Sequence, residues 1–231
     1  MLVLNNVLKK YSGCIVLNVD NLIINQNECI ALLGNNGAGK TTLLKSITDL
    51  ISIDKGQIKI LNFKVDEKED WKKYTSLYMQ SNFLIPYLTP KEYIKFIAAV
   101  REIPLKNLNI FLENYRDFHN NELFSNQKLV RNLSTGNKQK LGLMGALLPE
   151  TKLCLLDEPY ANLDIVSKEI LSSKIKEIRE KQKNTFIISS HNLDDILSIA
   201  TRVIILKNGK IIFDSPISNV DNYTIKKFLR N

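Results

Sequence analysis

Between the apolar run at residues 29–33 and the helix-like stretch at residues 42–50 lies Gly34-Asn35-Asn36-Gly37-Ala38-Gly39-Lys40-Thr41, a complete G-x-x-x-x-G-K-[ST] loop. Strand, glycine-rich loop and helix, in that order, are the context this motif needs. The glycines let backbone N–H groups turn inward, Lys40 can reach the β- and γ-phosphates, and Thr41 can offer its hydroxyl to Mg²⁺. The positive end of the following helix adds to the same field. The loop, with Thr42 beside it, therefore predicts binding of a nucleoside triphosphate. By itself it does not say which phosphate chemistry follows.

Leu153-Cys154-Leu155-Leu156-Asp157-Glu158 reads as a strand buried on both faces that ends in two adjacent carboxylates. Open parallel sheets place ligand chemistry at such strand ends. Asp157 can hold Mg²⁺ beside Thr41, directly or through water. Glu158 can then act on the attacking water as general base or orienting group, because phosphoryl transfer needs positioning and charge neutralisation more than covalent help.

Strand patterns at residues 2–7, 15–17 and 28–33 precede the loop, and others follow at 57–61 and 74–79. The character then changes. Thr89-Pro90-Lys91-Glu92 combines an N-cap, a proline in the first turn and a capping-box glutamate, and predicts a helix over residues 90–101. Residues 103–127 are polar and predict two short helices with loops. Buried-strand patterns return at 152–156 and 185–189, with Asp164 placed to cap a helix to about residue 181 and Asn192 to cap a further one. Val166, Ile170, Leu171, Ile175 and Ile178 form that first helix's core face. Asn208-Gly209, flanked by strand patterns at 203–206 and 210–213, is a two-residue hairpin signal, and residues 223–230 predict a closing helix. This alternation predicts an α/β core, a mainly parallel sheet with helices on both faces, carrying an inserted helical subdomain. One domain over residues 1–231 accounts for the pattern, with 1–87 and 149–231 as the core and 88–148 as the insertion.

Composition narrows the class. Cys14, Cys29 and Cys154 are scattered, without C-x-x-C spacing, and read as small buried hydrophobes in a reducing cytosol. Residues 1–11 lack a signal-peptide pattern and no stretch reaches the length of a membrane span, so a soluble chain is expected. The net charge of +8 is spread over lysines, without a long basic block interleaved with aromatics. A solvated surface is the simplest reading, with an anionic membrane face or nucleic acid as alternatives. Trp71 reads as a packing residue and His119 as a surface residue.

Leu133-Ser134-Thr135-Gly136-Asn137-Lys138-Gln139 is similar to the L-S-G-G-Q signature of ATP-binding-cassette (ABC) transporter subunits, and it precedes the Asp157 strand as it does in that family. On the residues alone, Ser134 is a helix N-cap. The resemblance, which extends over nearly the whole chain, implies a P-loop NTPase core with an N-terminal antiparallel β-subdomain. It also implies that Ser134 and Gly136 contact the γ-phosphate of an ATP held by a second subunit in a head-to-tail dimer. Thr135 and Asn137 depart from the usual glycine and glutamine, which implies a trans contact of altered strength. Gln80 matches the glutamine that approaches Mg²⁺ and the attacking water and couples the site to a membrane partner. Ser190-His191 matches the switch histidine that orders the catalytic carboxylate, and Tyr11 the aromatic that stacks on adenine. Asp164 is either the D-loop aspartate that senses the opposite site or simply a helix cap.

Such a subunit is implied to bind ATP and Mg²⁺, to pair with a second copy, and to energise a separate membrane-spanning permease from the cytoplasmic face, without nucleic acid. The form of the signature and the short C-terminal segment resemble the export class, for drugs or peptides. An importer subunit, a soluble assembly ATPase and a nucleic-acid-associated ATPase are the alternatives.

Overall fold

The computed structural model describes residues 1–79, 83–120, 122–125 and 127–230. β1 (Leu2–Tyr11) and β2 (Cys14–Ile24) form an antiparallel hairpin whose register runs from Leu2 opposite Ile24 to Tyr11 opposite Cys14. After β3 (Cys29–Leu33) and α1 (Lys40–Ile47), β4 (Lys55–Ile60) pairs with the other edge of β1, and β5 (Phe63–Lys64) completes an antiparallel sheet of order β2-β1-β4-β5. One face of it is apolar: Leu2, Leu4, Ile58 and Ile60 are buried at alternate positions, as a one-sided sheet requires. β1 and β2 outrun the strands expected at 2–7 and 15–17. The outer end of β1, around Lys9 and Lys10, is polar and held by the backbone ladder, and β2 runs on past residue 17 to bury Val19, Leu22 and Ile24 between the polar Asn18, Asp20 and Asn21.

The second sheet has the order β10-β9-β3-β8-β7-β6. Its strands are β6 (Thr75–Tyr78), β7 (Leu153–Asp157), β8 (Thr185–Ser190), β9 (Arg202–Lys207) and β10 (Lys210–Pro216), together with β3. All pair in parallel except β10, which turns back on β9. Asn208 and Gly209 form the turn with φ of 49° and 74°, both left-handed, as a two-residue hairpin of this kind demands. A side chain at Gly209 would also meet the Val16 carbonyl, 2.5 Å from its first carbon.

This sheet is buried on both sides. On β3, Cys29, Ala31 and Leu33 face one hydrophobic cluster, and Ile30 and Leu32 face the other. The first cluster lies under the helices that follow β6, whereas the second is shared with α1 and the antiparallel sheet. Trp71 belongs to the second cluster and donates its indole N–H to the Val65 carbonyl at 3.1 Å, so packing does account for it.

Between β6 and β7 come α2 (Pro90–Val100), α3 (Leu105–Asn114), α4 (Arg116–His119), α5 (Glu122–Ser125) and α6 (Thr135–Leu147). α2 begins at the expected capping box, with Thr89 and Glu92 each bonded to the other's backbone N–H. Three short helices stand where two were expected, because left-handed Asn120 (φ 51°) stops α4 after one turn. α7 (Ile165–Gln182) packs on the sheet, and α8 (Asn222–Arg230) ends the described chain.

Several expectations need correction. His119 is buried, with its ring edge-on to Phe124 and Nε2 3.3 Å from the Leu112 carbonyl, because α4 turns that face inward. Cys14 is exposed at the hairpin end, unlike Cys29 and Cys154. Val166 is exposed: the buried stripe of α7 runs through Ser167, Leu171 and Ile175, and Val166 lies one residue off it. No regular helix follows Asn192: its side chain accepts the N–H of Asp194 as a cap does, but the segment beyond it closes only separate turns, Leu197 on the Leu193 carbonyl and Ala200 on that of Ile196.

Candidate functional site

Three chain segments meet at the C-terminal ends of the parallel strands: the loop after β3, Asp157-Glu158 at the end of β7, and Ser190-His191 at the end of β8. An open parallel sheet presents ligands with this edge. Gly34 begins the loop close against β9, where a first side-chain carbon would lie 2.4 Å from the Leu206 carbonyl. Only glycine fits there. The loop then wraps so that Ala38 donates to the Asn35 carbonyl, and the first helical bond runs from Leu43 to Gly39. Among the described residues, no acceptor takes the N–H groups of Gly39, Lys40, Thr41 and Thr42. They form an anion-ready helix terminus.

Lys40 is buried and points back along the loop, donating to the Gly34 carbonyl at 2.7 Å and standing 3.5 Å from Glu158 Oε1. The other Glu158 oxygen, Oε2, lies 2.8 Å from His191 Nδ1. One carboxylate thus sits between an ammonium and an imidazole. Asp157 is held from two sides: Thr41 donates to Oδ2 at 2.8 Å and Ser189 donates to Oδ1 at 2.5 Å. Ser189 also accepts the N–H of Glu158 at 2.9 Å. That bond matters because Glu158 has φ 51°, a left-handed conformation that costs a residue with a side chain about 1 kcal/mol. Ser189 is fully buried and ties the Asp157 carboxylate and the Glu158 backbone to one hydroxyl. The sequence reading missed it, since inside a strand of β-type residues a serine carries no signal of its own.

The residues fit a magnesium nucleotide. Hydroxyl and carboxylate oxygens, Thr41 and Asp157, are the hard donors such an ion takes, with phosphate and water supplying the rest. Among the described residues no group of three or more His, Cys, Asp and Glu gathers into an all-protein metal cage. The free N–H groups and Lys40 supply the matching charge for phosphates.

Other expected residues lie apart from this cluster. Ser134 caps α6, accepting the Asn137 N–H at 3.3 Å, and a hydroxyl used in this way still has its own proton to donate. Gly136 packs against the Asn162 carbonyl. Asp164 caps α7: its carboxylate accepts the backbone N–H and hydroxyl of Ser167, and those bonds, with Lys140 nearby, hold its pKa below the usual range. Tyr11 ends β1 with its ring half exposed and the Lys9 ammonium 5.4 Å from the ring centre. Asn35, Asn36 and Gly37 are exposed on the loop and Ala38 is buried beneath it. Gln80 lies outside the described residues. A cavity of about 600 Å³ between α3, the end of α6 and α7 touches none of these residues.

The family model described as ABC transporter matches residues 17–161, well over half of the chain. A spermidine/putrescine import ATP-binding protein of Desulfitobacterium hafniense is 30% identical over 89% of this chain and 59% of its own. An Fe(3+) ions import ATP-binding protein of Fusobacterium nucleatum is 26% identical over 90% of this chain and 56% of its own. The chain therefore spans less than three fifths of the length of these curated relatives. Both are named for import, so they lend no support to the expected export class. A solved ATP-binding subunit of an ABC transporter superposes with a TM-score of 0.85 at 25% identity, covering 100% of this chain and 95% of that one. The ATP-binding cassette MJ0796, in a dimeric post-hydrolysis state bound to ADP and Pi, superposes with a TM-score of 0.83 at 26% identity, over 94% and 99%. With the loop and the paired carboxylates both inside the residues that the family model matches, the chain belongs to the ABC transporter family.

Proposed function

We propose that the chain hydrolyses ATP with Mg²⁺ as cofactor, pairs with a second copy across two nucleotides, and energises a separate membrane-spanning partner. The observation that carries this reading is the Glu158 carboxylate, held between Lys40 and His191 beside the unclaimed N–H groups of the loop. In this arrangement Lys40 exchanges the Glu158 oxygen and the Gly34 carbonyl for phosphate oxygens, which frees Glu158 Oε1. Glu158 then takes up the attacking water as general base, and His191 holds the other oxygen so that the freed one faces the phosphate. Mg²⁺, when bound, neutralises phosphate charge, with Thr41 and Asp157 to hold it. In this reading Tyr11 stacks on the base, and Ser134 and Gly136 close over the nucleotide of the opposite copy, while Gln80 keeps the role that the resemblance implies.

Ser189 keeps the two carboxylates in register. Ser189→Ala is expected to lower kcat about tenfold with KM for ATP within about twofold, since only the orientation of the reacting groups is lost. Steady-state phosphate release checks it, and an unchanged kcat would remove Ser189 from the account.

Among the described residues no helix is long and apolar enough to cross a membrane, and in this reading the membrane-spanning partner supplies the pathway. The names of the relatives favour import as the direction. Affinity purification of the Glu158→Gln variant with ATP from detergent-solubilised membranes tests the partner. A multi-span protein should co-purify, and its reconstitution with this chain in sided vesicles gives the direction. Recovery of only soluble chains or nucleic-acid-bound material would contradict the transport assignment.

A further inference from the structure

The N-terminal end of α6 and the segment that leaves the site after Glu158 are joined side by side. Gln139, in the second turn of α6, is buried, and its amide is spent on that segment at both ends. Its Nε2 donates to the Pro159 carbonyl at 2.6 Å, and its Oε1 accepts from Asn162 Nδ2 at 3.4 Å. Pro159 is the residue directly after Glu158. Two further contacts support the same junction: Lys140 Nζ stands 3.6 Å from Asp164 Oδ2, and Gly136 lies so close to the Asn162 carbonyl that a first side-chain carbon would be 3.2 Å from it. Asn162 itself is left-handed, φ 56°, and exposed.

The segment from Glu158 to Asp164 is therefore fastened to the catalytic cluster at one end, through Ser189 and His191, and to α6 along its length. We propose that Gln139 is a positioning residue that transmits a shift of the α6 N-terminus to the backbone of Glu158. Resting on the paired-subunit reading, this means that contact between Ser134 and the partner's nucleotide sets the carboxylate of the chain's own site. Each site then hydrolyses only when the other is filled. A buried amide suits this task because a carbonyl deprived of its donor there is costly, so segment and helix move together.

Gln139→Met keeps the length of the side chain and deletes both bonds. It is expected to lower kcat about tenfold, while the ATP concentration that drives dimerisation in a Glu158→Gln background stays within about twofold. Asn162→Gly respects the left-handed backbone and removes only the outer bond, so a smaller loss in the same direction is expected, and Gln139→Glu, which keeps the acceptor for Asn162, should fall between. Wild-type turnover by both Gln139→Met and Asn162→Gly would overturn the proposal. So would loss of dimerisation by Gln139→Met with Asn162→Gly at the wild-type rate, since Gln139 would then merely support the fold. Failure of the Glu158→Gln parent to dimerise with ATP would instead overturn the paired-subunit reading, and this inference with it.

Discussion

Glu158→Gln should abolish turnover and leave nucleotide binding intact. The amide keeps the size and both contact positions of the carboxylate, but it cannot accept a proton from water, and loss of a positioned general base typically costs about 10²–10⁴-fold. Binding should not suffer. The glutamate pairs with Lys40 at 3.5 Å, and a phosphate taken up by Lys40 competes with that pair. Glutamine offers weaker competition, so ATP affinity should be equal or higher. Single-turnover phosphate release together with equilibrium nucleotide binding checks both halves. Rapid hydrolysis by the variant would mean that another group, His191 or Gln80, activates the water.

Lys40→Ala is expected to have the second large effect, and on a different quantity. The ammonium is buried, fixed by the Gly34 carbonyl and balanced by Glu158. Removing it takes away charge-assisted bonds to phosphate, of about 3 kcal/mol together, or roughly a hundredfold in affinity. It also leaves the Glu158 carboxylate facing the phosphates without its counter-charge. The variant should therefore lose ATP binding, whereas Glu158→Gln loses hydrolysis. Titration with a fluorescent ATP analogue distinguishes the two, and tight binding by Lys40→Ala would show that the backbone N–H groups alone hold the phosphates.

Much of the site was legible because its chemistry depends on local spacing. The loop from Gly34 to Thr41, the Asp157-Glu158 pair after a buried run, and the Ser134 and Thr89 caps are each fixed by a few consecutive residues, and α1, α2, α6 and β7 fall where those residues place them. Other features come from contacts between distant segments. Ser189 acts across two strands, and Gln139 acts on a loop twenty residues away in sequence. Neither leaves a periodic or motif signal. His119 was misread because a single histidine in a polar stretch looks solvated until α4 turns it inward. The helix expected after Asn192 stops at separate turns: the capping bond to Asp194 forms, and the turns at Leu193–Leu197 and Ile196–Ala200 do not join into a regular helix, which a cap residue in the sequence cannot reveal.

The account stands on two nucleotides being held between two copies of this chain. Light scattering coupled to size exclusion, on the Glu158→Gln variant with ATP and Mg²⁺ and with bound nucleotide quantified across the peak, measures that directly. The predicted result is a species of twice the 26.4 kDa chain mass carrying one ATP per chain, which dissociates when Ser134 is changed to a bulky residue such as phenylalanine. A nucleotide-loaded species that stays at 26.4 kDa at saturating ATP would contradict it.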